Sequence, residues 1–407
     1  MKRSPDSDQN SLEDAQPNAA PHPKDSATFQ PQNARPRSLY IHIPFCRHRC
    51  GYCNFSLVAG RDHLIERFLG ALETEVSWLD DNYELDTLFL GGGTPSHLSP
   101  HQLDQLNKII CSRFSLSPGA EVTAECNPND LDVPRSQALA KLGVNRISLG
   151  VQSLQPEKLK TLQRDHNLTD IENAIRAAQS FCRSVSIDLI FATPTETFAQ
   201  WESDLDQAIK LDPDHISTYE LTYEKGTQFW TRLNRGQLSQ ADEELRAEMY
   251  CHTISRLQDA GLAQYEVSSF AKPQHRCQHN LVYWSGDPYF AFGPGAAKYV
   301  DSIRQTNHHS LMKYMDLIEQ QRSPVTESEK LAPLDTAKER LAIGLRKIDG
   351  VDERQFEAST GFSIEKVLGP LAARLKDNKL LIRESNSWRL TARGILICDW
   401  ISGEIIE

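Results

Sequence analysis

Nothing in this chain of 407 residues is apolar for long enough to cross a bilayer, so any membrane contact is expected to be peripheral. A secretory leader is also missing, as is any regular cysteine framework. Of the nine cysteines, an odd number, Cys111, Cys126, Cys182, Cys251, Cys277 and Cys398 are scattered, which points to a reducing cytoplasm and not to a disulfide scaffold. Surplus positive charge is absent too: a formal net charge of −11 argues against a nucleic-acid partner, which needs a basic face. Gly293-Pro294-Gly295 lacks the helix-opening third glycine of a dinucleotide fingerprint. Residues 1–36 have few apolar side chains to repay ordering and are expected to form a disordered tail. Asp6, Asp8, Glu13, Asp14 and Asp25 weigh against an organelle-targeting peptide there.

What is present is concentrated in Cys46-Arg47-His48-Arg49-Cys50-Gly51-Tyr52-Cys53, three thiols spaced C-x3-C-x2-C directly after the apolar run Leu39–Phe45. Three close thiolates can hold three corners of a [4Fe-4S] cluster, leaving one iron open to the amino and carboxylate groups of S-adenosylmethionine. That spacing is the radical-SAM signature. A zinc site, which usually wants a fourth ligand, and three unrelated core cysteines are the plainer alternatives.

From Leu39 onward, short β-branched or apolar runs alternate with amphipathic helical patterns. Strands are expected at 39–43, 87–90, 121–125, 146–151, 186–191 and 215–221, with helices near 63–79, 100–114, 134–142, 168–181 and 198–211. Six such units imply an α/β fold, one parallel sheet with right-handed crossovers, whose functional groups gather at the carboxyl ends of the strands. Gly91-Gly92-Gly93-Thr94-Pro95, Glu125 and Gln152 all fall at such ends, and Asp188 lies within the fifth strand. The triple glycine suits close backbone approach to a ligand or simply a tight turn. Glu125, Gln152 and Arg164 could reach a ligand's polar groups, or be salt-bridged. Tyr40 and His42 share one strand face and either line the interior or fill it.

Beyond residue 225 the pattern changes. A polar helix near 241–260 leads to His279-Asn280-Leu281-Val282-Tyr283-Trp284 and the aromatic run from Tyr289. Read residue by residue, His279 is either an axial imidazole beside a flat apolar slot or a satisfied histidine in an aromatic core. From about Ser323, helices near 335–346, 353–359 and 365–376 precede a hairpin at 379–390 and a helix opened by Thr391, a winged-helix outline. Lys366, Arg374, Lys376, Lys379, Arg383, Arg389 and Arg393 read as a solvated face sooner than a nucleic-acid surface. The expected units are a tail (1–36), a barrel (37–225), an extension (226–322) and a C-terminal winged-helix-like domain (323–407).

Together these motifs resemble the radical-SAM family of oxygen-independent coproporphyrinogen III oxidases, and most closely its haem-chaperone branch, HemW. The pieces that carry the likeness are Leu39–Cys46 with the two following cysteines, Gly91–Pro95, Glu125-Cys126-Asn127-Pro128, Gly150-Val151-Gln152-Ser153, Arg164-Asp165-His166, Asp188–Phe191 and the HNxxYW sequence at 279–284. The resemblance implies a partial (β/α)6 TIM-like radical-SAM barrel with a small α+β extension. It implies a [4Fe-4S] cluster on Cys46, Cys50 and Cys53, and S-adenosylmethionine contacts from Tyr40, Tyr52, Gly92, Gly93, Thr94, Glu125, Gln152, Arg164 and Asp188. His279 becomes the leading haem-site residue. Haem and client haemoproteins are then the expected partners, with the cluster structural, regulatory or dimer-forming, so that a homodimer is one option. The alternative is the oxidase itself, which removes propionate carboxyls from coproporphyrinogen III by radical chemistry. That enzyme has a further cysteine where Phe55 stands, and an ordered N-terminal lead where this chain has its polar tail. Phe191-Ala192-Thr193-Pro194-Thr195 also lacks a glycine common in the family.

Overall fold

The computed structural model describes residues 35–407, so the expected tail, Arg35 and Pro36 apart, lies outside the described residues. Strands β1 (Ser38–Ile43), β2 (Tyr83–Gly92), β3 (Phe114–Cys126), β4 (Arg146–Gln152), β5 (Ser184–Phe191) and β6 (His215–Glu220) run parallel and in sequence order. Between them lie α1 (Ile65–Ser77), α2 (Pro100–Cys111), α3 (Val133–Leu142), α4 (Pro156–Thr161), α5 (Leu168–Gln179) and α6 (Phe198–Lys210). Local chemistry sets where several helices start. Ser99 with Gln102, Asn167 with Asp170 and Thr197 with Gln200 form reciprocal capping boxes, which satisfy amides that the first helical turn leaves unpaired.

The strands have two distinct faces. Leu39, Ile41, Ile43, Leu90, Val122, Ala124, Ile147, Leu149, Val185, Ile187, Leu189 and Ile216 are fully buried in the main core, shared with helix residues such as Phe68, Leu103 and Leu205. Alternate positions point the other way and carry polar or aromatic groups: Tyr40 beside Phe89, then Thr123 and Glu125, Ser148, Ser186 and Asp188, and Ser217. The inner face is therefore built for polar contacts and not packed with branched aliphatics.

The extension does not stand apart from the barrel. After α7 (Gln228–Asn234) and α8 (Glu243–Asp259) come β7 (Ala263–Glu266) and β8 (Ser269–Ala271); β8 adds antiparallel to β6 and β7 antiparallel to β8, while α9 (Gln278–Ser285) leads to β9 (Phe290–Phe292), parallel on the free edge of β1. The expected six strands thus become a nine-stranded sheet in the order β9-β1-β2-β3-β4-β5-β6-β8-β7. Periodicity failed here because three- and four-residue strands carry no countable pattern.

A second, antiparallel sheet joins β10 (Ala297–Val300), β11 (Ile303–Asn307) and β12 (Val325–Glu329), so β12 pairs with β11 although it lies past residue 322. The intervening α10 (Leu311–Glu319) docks on α1, where Arg67 pairs with Asp316 at 2.7 Å and Glu319 at 2.6 Å. Beneath them, the buried Glu75 carboxylate accepts from Tyr314 Oη at 2.6 Å and Asn307 Nδ2 at 2.7 Å.

The last module has its own core around Leu341, Phe356, Leu375, Leu381 and Trp388. It comprises α11 (Pro333–Gly344), β13 (Val351–Asp352), α12 (Glu353–Thr360), α13 (Ile364–Leu368), α14 (Pro370–Asp377), β14 (Leu381–Glu384), β15 (Ser387–Leu390), α15 (Ala392–Leu396) and α16 (Cys398–Ile406). Helices with a small β13-β15-β14 sheet match the winged-helix outline. The single helix expected at 365–376 is split, because Gly369 takes a φ of +52° and Pro370 starts a new helix. Thr391 caps α15 through Gly394 N, as expected. Of the basic residues there, Arg374, Arg383 and Arg389 are paired with Glu404, Glu353 and Glu384. Among the described residues no helix is long and apolar enough to span a membrane.

Candidate functional site

The cysteine loop leaves β1 at the carboxyl edge of the sheet. Cys46 and Cys50 are buried and Cys53 is half-buried; all three are free thiols. Thr94 Oγ1 lies 3.1 Å from Cys46 Sγ, and Arg164 Nη1 donates to Cys50 Sγ at 3.6 Å. A hydroxyl and a guanidinium thus lie beside two of the three sulfurs. Arg164 also donates through Nη2 to Asn127 Oδ1 at 2.6 Å and Gly150 O at 2.7 Å, yet its buried Nε has no partner among the described residues. Burial opposes the Arg164 charge, but Tyr52 and Cys50 outweigh it and leave its pKa raised. Burial raises the Cys53 thiol, so metal binding there must displace a proton. Tyr52, packed edge-on against Phe229 at 6.1 Å, is raised for the same reason. The donor set, its cation and the orphaned Nε fit a thiolate-held cluster. Among the described residues no three His, Cys, Asp or Glu side chains, the three cysteines included, converge on a single metal-ion position.

The triple glycine is explained first by the chain itself. Gly92 has a φ of +108°, and a Cβ there would meet the His42 ring at 2.5 Å; one on Gly93 would meet Phe45 O at 2.5 Å. Its amides are spent as well: Gly92 N donates to Glu125 Oε2 at 3.0 Å, Gly93 N to Ile43 O and Thr94 N to Phe45 O, each at 2.8 Å. The expected donation from this backbone to a ligand therefore has no free amide at those three positions. His42 Nε2–H donates to Ser56 O at 2.7 Å, which leaves Nδ1 to accept from Tyr40 Oη at 3.0 Å. Glu125, buried and facing Asp188, has its pKa raised to about 7. Asp188, accepting from Ser148 Oγ at 3.1 and 3.2 Å, is pushed by burial to about 6. Gln152 ends β4 with a φ of +66°. Ala192, where the family has glycine, still adopts a φ of +59°, a left-handed conformation that costs a non-glycine residue roughly 1–2 kcal/mol.

His279 lies against the inner face of β2, beneath Phe89. Its Nδ1 is 2.8 Å from Thr87 Oγ1, its Nε2 2.8 Å from Tyr283 Oη, and its ring lies 5.2 Å from that of Phe89. The Phe89 ring also reaches Gly91, whose ideal Cβ would lie 2.9 Å from it, so the imidazole sits one ring below the glycine edge. It is fully buried, and burial depresses its pKa to about 3. With both nitrogens engaged within the chain, His279 has the contacts of a satisfied core histidine. The start of α9 is instead organised by Glu121, whose carboxylate accepts from Gln278 N at 3.1 Å and His279 N at 3.0 Å. A carboxylate at a helix N-terminus satisfies free amides and the helix dipole together.

The sequence reading missed Glu121, Arg146, Ser148 and His215 on this inner face. Arg146 Nη1 donates to Ser184 Oγ and His275 O at 3.0 Å each, and His215 bridges Ser186 Oγ at 2.8 Å and Tyr265 Oη at 2.9 Å. The signal was there, as polar residues at every second position in Arg146-Ile147-Ser148 and His215-Ile216-Ser217.

Comparison with known proteins follows the same outline. The Radical SAM superfamily profile matches residues 40–208 and the HemN C-terminal domain profile residues 331–397. "Heme chaperone HemW" of Bacillus subtilis is 33% identical over 91% of this chain and 99% of its own length. The chain belongs to the HemW family. The Lactococcus lactis protein of the same name is 34% identical over 88% of this chain and 94% of its own. Among solved structures, the radical-SAM coproporphyrinogen III oxidase HemN of Escherichia coli superposes with a TM-score of 0.79 at 22% identity, covering 92% of this chain and 90% of that one. That likeness establishes the shared TIM-like fold.

Proposed function

We propose that this protein is a haem chaperone that binds haem and delivers it to client haemoproteins in the cytoplasm. The reading is carried by its near full-length likeness to relatives named as haem chaperones, at 33% identity over 99% of the Bacillus subtilis protein. Cys46, Cys50 and Cys53 would hold a [4Fe-4S] cluster. Tyr40, Tyr52, Gly92, Gly93, Thr94, Glu125, Gln152, Arg164 and Asp188 would form the S-adenosylmethionine side of the site. Bound there, the cluster supplies a redox-active iron with an open position for S-adenosylmethionine. The residues around it would do simpler work: Arg164 and Thr94 would hold the sulfurs they contact in place, and Glu125 and Asp188 would offer carboxylates to a cation. The four units named from the sequence, with a barrel from 37 to 225, are proposed on the same basis, as is a homodimer.

Phe55 supports a chaperone over an oxidase. It occupies the position of the enzyme's extra cysteine, and its ring is 58% exposed. The test is transfer: protein reconstituted without oxygen and loaded with haemin is mixed with an apo-haemoprotein, and the client's Soret band is followed. The expected outcome is full transfer, with no protoporphyrinogen formed from coproporphyrinogen III in the presence of reductant and S-adenosylmethionine. Rapid protoporphyrinogen formation would overturn the reading. Cys50→Ala should lose the brown cluster absorbance together with iron and acid-labile sulfide, as measured by chemical analysis.

A further inference from the structure

The segment that follows the cysteine motif does not simply cover it. Residues 54–64 and the start of α10 enclose a cavity of about 770 Å³, within the roughly 300–1,000 Å³ range typical of small-molecule sites. Three chemistries meet on its walls. Phe55 and Met312, 58% and 46% exposed, leave two large apolar side chains in water beside Leu57 and Leu311. Arg49 and Arg61 bring positive charge; Arg49 donates only to the carbonyls of Leu57, Cys53 and Phe55 at 3.3–3.5 Å. Among the described residues neither arginine pairs with a carboxylate. His309 completes the wall, with Nδ1 2.8 Å from Ser56 Oγ and Nε2 without a protein partner among the described residues.

Resting on the haem-chaperone reading, we infer that this cavity is the haem site. An iron tetrapyrrole is a flat apolar disc with two carboxylates on one edge and a metal that takes imidazole on its face. Arg49 and Arg61 are the carboxylate partners, Phe55, Leu57 and Met312 the apolar bed, and His309 Nε2 the iron ligand. His279 offers no comparable nitrogen, because Thr87 and Tyr283 occupy both of its own. A lipid or an apolar peptide would use the bed and leave the imidazoles of His63 and His309 and the two guanidinium groups without a role.

The site is also wired to the cysteines. Arg49 lies within the C-x3-C spacing, and its guanidinium holds the Cys53 and Phe55 carbonyls. Ser56 faces both ways, accepting from His42 Nε2 through its carbonyl at 2.7 Å and meeting His309 through its hydroxyl. Occupying the thiols with metal therefore fixes one wall of the cavity.

The test titrates haemin and metal-free protoporphyrin into the full-length reconstituted protein, reading the Soret band and porphyrin fluorescence. Arg61→Ala is expected to weaken both ligands about tenfold, as loss of one charge-assisted hydrogen bond would. His309→Ala is expected to weaken haemin about tenfold or more and shift its Soret band, while metal-free protoporphyrin binding stays within about twofold. Circular dichroism and cluster absorbance check that these surface variants fold and load. If wild-type protein binds haemin and neither variant alters it, the placement is overturned and the chaperone reading stands. If wild-type protein binds no haemin, both fall. If Phe55→Ser with Met312→Ser leaves porphyrin affinity intact yet blocks transfer, the cavity is a client-docking face and the inference fails.

Discussion

His279 shows how burial converts a residue suited to one chemistry into another. In an unfolded chain its imidazole takes a proton near 6.5, and in the folded barrel not until about 3. The stability this group contributes is therefore fully present above 6.5 and is lost as pH falls through that interval. His279→Asn is expected to cost about 2–3 kcal/mol at pH 7.5 by chemical denaturation, since the Thr87 and Tyr283 hydroxyls lose a partner. Relative to wild type that deficit should shrink by about 1.4 kcal/mol per pH unit below 6.5. Glu125 runs the other way. Its pKa is raised from 4.5 to about 7 by burial and Asp188, so its contribution is present below 4.5 and is lost as pH rises towards 7. A ligand ammonium beside it would favour the carboxylate, so S-adenosylmethionine binding at pH 6.5 should release up to about three-quarters of a proton. Calorimetry in two buffers of different ionisation enthalpy reads this directly, and Glu125→Gln should abolish it.

At the scale of an element, β2 and its glycine edge explain why the barrel mouth is tightly determined. The space a side chain would need at Gly92 is filled by His42, and the amide beneath it holds Glu125 in place. Gly92→Ala should cost about 2–4 kcal/mol, from left-handed strain plus overpacking, and should lower cluster occupancy because the Tyr40–His42–Ser56 chain shifts with it. Urea denaturation of the apoprotein reads the first effect and iron content after reconstitution the second. The alternation of strands and helices through residue 220 was legible in the sequence because each element is long enough to show its period. Strands β7, β8 and β9 were not, being positioned by the free edges of β6 and β1.

At the scale of the whole molecule, the C-terminal module is tied to the barrel through the extension. Val267 N donates to Arg346 O at 3.1 Å, Ile348 N to Tyr265 O at 3.0 Å, and Arg340 pairs with Asp287 at 3.0 Å. Burial raises the Asp287 pKa against the pull of Arg340 and Lys347, so the carboxylate depends on that pair. Arg340→Ala should cost about 2–3 kcal/mol and broaden thermal unfolding towards two transitions, as scanning calorimetry would show. Arg67 performs the same service for α10, which carries one wall of the proposed haem cavity. Changes in the barrel helix α1 are thus felt at a surface formed by a distant stretch of chain.

Legible in the sequence alone were the parallel α/β core, the cysteine loop after the first strand, and the acids Glu125 and Asp188 on the third and fifth strands, because each is a local pattern with a physical period or spacing. The sequence could not decide which histidine is free. HNxxYW reads identically whether its imidazole faces solvent or the barrel interior, and only the folded chain pairs Thr87 and Tyr283 with both His279 nitrogens while leaving one nitrogen of His309 unspent. Likewise, nothing in the sequence joins Arg49 and Phe55 to Met312. They become one wall only when α10, packed against α1, brings residues 309–312 beside the cysteine loop, since long-range burial and not neighbouring residues sets that juxtaposition.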